Sequence, residues 1–238
     1  MNNLLKISIL FLFTFNLYSN DKVSITNGEW PPYFSQTLPN YGITSELVTK
    51  AFESQDIAVQ YHWYPWKRAY HLAKEAKFNA TIGWAKTNER EKDFLFSDPI
   101  LEGKVVFFYL KSTNFNWKNL ENLRNIKIGS VTGYKYANKL EFLKEKNSVK
   151  IFSVIDEKKL FELLINKRYD VAVINLDAGK AILKQYFKKE PLDKITYHKI
   201  PFHTEYLRVL FNKKDKENEA YLNALNKGLK NMREKSSK

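Results

Sequence analysis

Cysteine is absent from the 238-residue sequence, and this absence removes several kinds of chemistry at once. Without cysteine the chain has no disulfides, no thiol nucleophiles and no thiolate metal sites, and it offers no lipid-bearing cysteine for a membrane anchor. The four histidines do not have the spacing of metal ligands. The sequence therefore predicts neither a metal centre nor a cofactor site.

Apolar runs long enough to cross a bilayer are also lacking, since a membrane-spanning helix needs about 20 apolar residues. A shorter run, residues 7–18, follows a weakly basic start that contains Lys6 and precedes Ser19, a small residue. This arrangement is typical of a secretory signal peptide rather than of a buried helix. We expect residues 1–19 to be a signal peptide cleaved after Ser19. An exported chain without a lipid anchor favours the periplasm of a Gram-negative cell.

Acidic residues are few relative to basic ones, with 26 Asp and Glu against 39 Lys and Arg and a formal net charge of +13. Such an excess can indicate binding to nucleic acid or to an anionic membrane surface. However, 33 of the 39 basic residues are lysines spread along the chain, and no nucleic-acid module is recognisable. We interpret the charge as a lysine-rich solvated surface and predict no nucleic-acid partner.

Apolar strands alternate with amphipathic helices along the rest of the chain, which predicts an α/β fold with mainly parallel pairing. The main predicted strands are residues 23–25, 59–63, 105–110, 126–131, 169–175 and 206–211. A polar break at residues 111–114 follows the third of these strands, and we interpret it as a crossing into a second unit. Hydrophobic residues make up 44% of the chain, which is ample for packed cores.

The stretch 82–100 holds a candidate anion clamp, in which Thr87 precedes Arg90 by three positions. A guanidinium can grip a carboxylate through two parallel hydrogen bonds, while a hydroxyl and nearby backbone N–H groups take the remaining lone pairs. Taken alone, the charged segment 86–93 is more readily explained as a solvated turn, because exposed charges contribute little.

Three further segments place suitable side chains beside strand ends, where loops commonly carry function. Trp30-Pro31-Pro32-Tyr33 is a rigid loop between two aromatics. Thr132-Gly133-Tyr134 turns into a predicted helix whose N-terminus can offer free N–H groups to an anion. A helix opened by Pro65 puts Arg68 near a cleft mouth and Trp66 on its buried stripe, where a core role and a ligand role are about equally favoured.

In their order and spacing these motifs resemble the polar amino-acid-binding family of periplasmic solute-binding proteins, the capture subunits of ABC importers. The similarity covers essentially the whole mature chain. The segments that show it are Trp30-Pro31-Pro32-Tyr33, residues 42–52, Thr87-x-x-Arg90, Phe96-Ser97-Asp98-Pro99, Gly129-x-x-x-Gly133 and residues 160–173. The resemblance implies a two-lobe, type 2 periplasmic-binding-protein-like fold, with a mainly parallel sheet flanked by helices in each lobe and two hinge strands. Lobe 1 would comprise residues 21–110 plus 203–238, and lobe 2 residues 111–202.

The resemblance also assigns ligand contacts. In the family, the arginine of the Thr-x-x-Arg motif clamps the α-carboxylate of the ligand, a role that falls to Arg90. Residues beside the motif add hydrogen bonds, the aromatics around the two prolines pack on the ligand, and the helix start of lobe 2 closes over the carboxylate. The added hydrogen bonds fall to Gly83, Trp84 and Thr87. The packing aromatics are Tyr33 and Trp30, and the helix start is at Thr132, Gly133 and Tyr134.

Two departures from the family pattern bear on the ligand. Members that bind amino acids hold the α-ammonium with an aspartate, but the matching position here is Asn175, and Asp177 follows two residues later. A neutral amide is a weaker partner for an ammonium than a carboxylate. Trp84 also stands where smaller hydroxyl residues are common, which makes the pocket more aromatic. These departures favour a ligand other than a standard α-amino acid, while Arg90 still argues for an anionic group.

The resemblance implies a monomeric binding protein without catalytic residues, which captures a small anionic or zwitterionic, amino-acid-like solute and docks on an inner-membrane ABC permease. The same fold serves as a sensory module of membrane receptors, and the sequence leaves both roles open. A third interpretation is a cyclohexadienyl-dehydratase-like enzyme, which would need a desolvated acid in the cleft. The acids available for it are Glu29, Glu46 and Asp177, each more simply explained as a surface or capping group.

Overall fold

The computed structural model describes residues 21–132, 134, 140, 143, 149–187 and 193–236. The predicted signal peptide and Gly133 lie outside the described residues. The strands are β1 (Asp21–Asn27), β2 (Ile57–Trp63), β3 (Ala80–Ala85), β4 (Phe94–Phe96), β5 (Leu101–Leu110), β6 (Lys127–Val131), β7 (Lys150–Val154), β8 (Val171–Asn175), β9 (Ile195–Tyr197) and β10 (His203–Asn212). The α-helices of the described chain are α1 (Ile43–Glu53), α2 (Trp66–Lys74), α3 (Glu157–Ile165), α4 (Leu176–Tyr186) and α5 (Asn218–Ser236).

The strands join into one sheet in the order β2-β1-β3-β10-β5-β8-β6-β7, with β4 added to β10 and β9 added to β5. Two parallel groups lie at its ends, because β1 pairs in parallel with β2 and β3, and β6 pairs in parallel with β7 and β8. Between these groups, β10 pairs antiparallel with β3 and β5, and β5 pairs antiparallel with β8. The predicted α/β fold with two mainly parallel units is confirmed.

The long strands β5 and β10 carry the chain from the first parallel group to the second and back. Residues 101–105 of β5 pair in register with residues 203–207 of β10, and Gly103 lies opposite Glu205. Beyond this shared segment the strands part, since β5 continues along β8 and β10 continues along β3. These are the two hinge strands of the predicted two-lobe fold. The residue limits of the lobes stay a prediction.

Separate hydrophobic cores stabilise the two groups. The first group packs β1 and β3 against α1 and α5, so that Ile25 and Phe52 share a core with Leu225 from near the end of the chain. The second group has a core on each face of its sheet, and the alternating side chains of β5 divide between them, with Phe107 on one face and Phe108 on the other. Burial on both faces explains why residues 171–174 are apolar without a break.

Gly228 allows α5 to pack closely on α1. A Cβ atom built at Gly228 would lie 2.1 Å from the carbonyl oxygen of Ala51 and 2.7 Å from its carbonyl carbon. Both residues are buried. The contact is made by backbone, so a side chain at this position cannot be accommodated by a change of rotamer.

We expect Gly228→Ala to lower the free energy of unfolding by about 1–3 kcal/mol, because the added methyl group overpacks the contact with Ala51. In an open helical site the same substitution would instead stabilise the protein by about 0.5–1 kcal/mol. Urea unfolding measures the change, and Lys227→Ala, at the exposed preceding position of the same helix, is the matched control. A Gly228→Ala variant more stable than the parent protein would contradict the close packing.

Candidate functional site

The loop after β1 is fixed by its own backbone hydrogen bonds. The Trp30 N–H donates to the Phe34 carbonyl at 2.7 Å, and the N–H groups of Tyr33 and Phe34 donate to the Trp30 carbonyl at 3.0 and 3.1 Å. The Tyr33 side chain is 1% exposed, and its ring centroid lies 4.9 Å from that of Trp30. The turn therefore holds two aromatic rings in fixed positions at the edge of the first group of strands.

Tyr33 bridges the two groups of strands. Its hydroxyl donates to Asn175 Oδ1 at 3.0 Å and to Asp177 Oδ2 at 2.9 Å. Asn175 ends β8 and Asp177 lies in the first turn of α4, so both acceptors belong to the second group. A hydroxyl has a single proton, which these two acceptors share. Burial and the hydrogen bond with Asp177 raise the pKa of the Tyr33 hydroxyl above its usual value, and the group remains a donor.

Hydrogen bonds hold the Asn175 side chain with its amide nitrogen directed toward the hinge strands. Its Oδ1 caps α4 by accepting the backbone N–H groups of Asp177 at 3.0 Å and Ala178 at 3.1 Å. The opposite atom, Nδ2, is buried and has no hydrogen-bond partner among the described residues. A Cβ atom built at Gly103 would lie 2.8 Å from Nδ2 and 3.2 Å from Glu205 Oε1, so the nitrogen faces the hinge strands. We term these residues the hinge cluster: Tyr33, Gly103, Asn175, Asp177 and Glu205.

A second contact between the groups involves Trp30, Tyr134 and Glu157. The ring centroids of Trp30 and Tyr134 are 6.4 Å apart, and the Tyr134 hydroxyl donates to Glu157 Oε1. Glu157 is the first residue of α3, directly after its cap Asp156. Burial raises the pKa of Glu157, against the lowering effects of Tyr134 and the Trp30 indole. The indole Nε1 is buried without a hydrogen bond of proper geometry to any described residue.

Aromatic rings continue from this contact along the first group of strands. Phe34 lies between Trp30 and Trp66, at centroid distances of 6.4 and 5.9 Å, and Trp66 in turn lies 5.6 Å from Trp84. Gly83 passes beneath Trp66 with φ of 88°, and a Cβ atom there would lie 3.2 Å from the indole. The predicted site residues Trp30, Trp66, Gly83 and Trp84 therefore line one continuous aromatic wall.

Arg90 lies at the far end of this wall. Its guanidinium carbon is 4.8 Å from the Trp84 ring centroid and 5.7 Å from that of Tyr70, and its Nη1 donates to the Ala85 carbonyl at 2.7 Å. The Thr87 hydroxyl accepts the Arg90 backbone N–H at 3.2 Å, which fixes the turn between them. Burial lowers the pKa of Arg90. No carboxylate in the described part of the chain forms an ion pair with the guanidinium.

Two of the predicted site residues, Arg68 and Thr132, have other surroundings. Arg68 is exposed, and its guanidinium lies 5.2 Å from the Tyr64 ring centroid. Thr132 is exposed, and its backbone N–H already donates to the Val154 carbonyl at 2.8 Å. Gly133 lies outside the described residues. The structure therefore brings neither Arg68 nor Thr132 into contact with the aromatic wall or the hinge cluster through any bond described for them.

The acids proposed from the sequence differ in their surroundings. Glu29 is exposed and accepts the Gln36 backbone N–H at 2.8 Å, and Glu46 pairs with Lys50 at 2.6 Å on the surface of α1. The desolvated acid is Glu157, which sequence reasoning missed because it reads as an ordinary first-turn glutamate. Asp177, through its bond to Tyr33, lies at the contact between the two groups of strands.

Two other features bear on the chemistry of the site. In the described ranges no three or more His, Asp or Glu side chains are grouped so as to hold a metal ion. No helix within those ranges combines the length and the apolar character needed to cross a bilayer. Sequence reasoning also missed Gly103 and Glu205, whose only signal is their place opposite each other on the hinge strands.

We expect Tyr33→Phe to weaken the contact between the two groups of strands, because a hydrogen bond to a charged acceptor contributes about 1.5–3 kcal/mol. Small-angle X-ray scattering of the ligand-free variant should show a larger radius of gyration. The matched control is Tyr221→Phe, which also removes a tyrosine–aspartate hydrogen bond, of 3.1 Å to Asp21, but within the first group alone. Equal radii for Tyr33→Phe and the parent protein would contradict the bridging role.

Glu157 should make stability depend on pH. Its folded-state pKa lies above the usual 4.5, so the native state binds the proton more tightly than the unfolded state. Its stabilising contribution is therefore full below about pH 4.5 and is lost as the pH rises through the folded pKa.

Glu157→Gln removes this loss, and we expect the melting temperature of the variant to rise relative to the parent protein between about pH 4.5 and about pH 7. Thermal melts across this range provide the measurement, with Glu121→Gln, an exposed carboxylate, as control. A difference between Glu157→Gln and parent that does not change with pH would exclude a raised pKa.

Known structures share this architecture. A histidine kinase sensor domain with similarity to periplasmic binding proteins matches with a TM-score of 0.69 at 17% identity, covering 92% of this chain and 93% of that one. An amino acid ABC transporter substrate-binding protein from Streptococcus pneumoniae, bound to L-arginine, matches with a TM-score of 0.67 at 18% identity over 92% and 91%. An ancestral amino acid-binding protein, a precursor of cyclohexadienyl dehydratase, matches with a TM-score of 0.66 at 18% identity over 90% and 89%. At such identities the likeness establishes the fold.

The sequence itself matches a family model. No curated protein matches this chain in sequence. The model of the bacterial extracellular solute-binding proteins, family 3, matches residues 23–237, which extend from β1 to the end of the chain's last helix. The predicted resemblance is confirmed, and the chain belongs to family 3 of the bacterial extracellular solute-binding proteins.

Proposed function

We propose that this chain is a periplasmic binding protein that captures a small anionic or zwitterionic, amino-acid-like solute between its lobes and delivers it to an ABC importer. The proposal includes removal of a signal peptide after Ser19, lobe 1 at residues 21–110 plus 203–238, and lobe 2 at residues 111–202. Membership of an extracellular solute-binding family supports the binding role. The solute-binding neighbour from Streptococcus pneumoniae supports the transport role by analogy of fold.

The choice of an anionic ligand rests on the surroundings of the Arg90 guanidinium. Its guanidinium is partly desolvated by Trp84 and Tyr70 and forms no ion pair with a described carboxylate. A desolvated cation without a direct ion pair is costly, and a bidentate carboxylate is the partner that a guanidinium fits best. A ligand carboxylate would supply the missing charge.

The other end of the aromatic wall supports a zwitterionic ligand. Asp177 and Glu157 both lie at contacts between the two groups of strands, beside the rings of Tyr33 and Trp30 respectively. A protonated amine is stabilised by carboxylates and by aromatic faces. The cleft thus offers a cationic group at one end and acidic groups at the other, with rings between them.

Two alternatives have an observation in their favour. The desolvated Glu157 is the kind of acid that a dehydratase-like reaction requires, because a raised pKa keeps a proton available to a leaving group. A sensory module attached to a membrane receptor is favoured by the likeness to the histidine kinase sensor domain. A ligand that is recovered unchanged after incubation separates binding from catalysis, whereas a ligand that is consumed favours the enzyme.

We expect Arg90→Ala to weaken the binding of a carboxylate ligand by about 2–5 kcal/mol, because the buried anion loses its countercharge. A thermal-shift screen of the mature protein against amino acids, small carboxylates, polyamines and prephenate-like compounds identifies the ligand, and calorimetry then measures the affinities. Arg124→Ala, at an exposed arginine of the second group, is the control and should bind normally. Equal affinity in Arg90→Ala and the parent protein would remove Arg90 from the site.

A further inference from the structure

The Asn175 amide nitrogen is a buried donor that lacks an acceptor. The side chain is 1% exposed, and Nδ2 has no hydrogen-bond partner among the described residues. The cap on α4 leaves no freedom to exchange the two ends of the amide, because the backbone N–H groups of Asp177 and Ala178 both require an oxygen as their acceptor. Nearly all buried polar groups in proteins are hydrogen-bonded, so an orphaned donor needs an explanation.

The position of this donor points to a ligand. Nδ2 lies beside Gly103, where the two hinge strands meet, and beneath the bridge made by Tyr33. Gly103 lets the backbone approach this donor closely, since a Cβ atom there would come within 2.8 Å of Nδ2 and would crowd it. The loop at Tyr33, the hinge strand at Gly103 and the end of β8 at Asn175 therefore meet around a buried N–H group that has no acceptor among the described residues.

The surrounding charges restrict what the acceptor can be. Asp177 and Glu205 both act on the Tyr33 hydroxyl and raise its pKa, so the potential within the hinge cluster is negative. A second carboxylate on the ligand would be repelled there, whereas a neutral oxygen would not. The same carboxylates would attract an ammonium group, but an ammonium leaves Nδ2 without an acceptor because both groups are donors only, so Nδ2 narrows the proposed anionic or zwitterionic class to its anionic members.

We propose that Asn175 is a specificity-determining residue, whose amide N–H donates to a neutral hydroxyl or carbonyl oxygen of the bound ligand. This inference rests on the proposed function, with Arg90 holding the ligand carboxylate. The ligand class is then small carboxylates that carry a hydroxyl or a carbonyl oxygen in place of the ammonium of an amino acid. Donor–acceptor matching of this kind discriminates strongly, because the wrong analogue leaves a buried group unpaired.

Matched ligands test the proposal directly. Each set contains an amino acid, the hydroxy acid and the oxo acid of the same carbon skeleton, from three to six carbons, and calorimetry measures their binding to the mature protein. We expect the hydroxy or oxo acid of the best-fitting skeleton to bind at least about tenfold more tightly than the amino acid. Tighter binding of the amino acid would overturn the role of Asn175 and leave the proposed function standing. If no compound in any set binds, both the role of Asn175 and the proposed function are overturned.

Two substitutions at Asn175 keep the cap on α4, because Asp and Ser cap helices about as well as Asn. Asn175→Asp replaces the donor by a charged acceptor, and we expect it to reverse the preference in favour of the amino acid by about tenfold or more. Asn175→Ser removes the amide and should abolish the preference without reversing it. Thermal unfolding of both variants verifies that they fold. An unchanged preference in folded Asn175→Asp would overturn the proposal.

Discussion

The antiparallel pairing of β5 with β10 is the constraint on which the candidate site depends. Among the described residues this segment, with Gly103 opposite Glu205, joins the two halves of the sheet, and each half has hydrophobic packing of its own. Backbone hydrogen bonds hold the segment together, so the cores can move as units about it while remaining packed. Tyr33 and Asn175 meet directly at this crossing, and their contact therefore depends on the angle between the two halves.

The side chains of the cleft partly satisfy one another. Tyr33 bonds to Asp177, and Tyr134 bonds to Glu157, so acids that could hold a ligand already accept hydrogen bonds from tyrosines. A ligand stabilises closure only as far as its contacts with the closed form exceed those it makes with the open form. Arg90 differs from these acids, because no described carboxylate forms an ion pair with its guanidinium, and in the proposed function a ligand carboxylate would supply that partner.

The sequence is sufficient for the fold because strand and helix periods, strand-end loops and the order of motifs all agree. The Thr87–Arg90 turn and the aromatic loop at Trp30 and Tyr33 occur where predicted. Glu157 could not be recognised, because its burial depends on Tyr134 and Trp30, which are distant in sequence. The unpaired amide nitrogen of Asn175 could not be predicted either, because it depends on the cap at the start of α4, which engages Oδ1 and leaves Nδ2 without a partner among the described residues. The helix position of Arg68 predicts a place near a cleft mouth but does not reveal that its neighbour is Tyr64.

The close contact of α5 with α1 at Gly228 has a consequence for the order of folding. The first core combines β1, from the beginning of the described chain, with Leu225 and Leu229, from its last helix. The described core residues of the second group lie between positions 105 and 202, before the last helix. As the chain emerges in sequence, the second group can therefore pack while the first still exposes an apolar face on α1. The half that begins first is completed last.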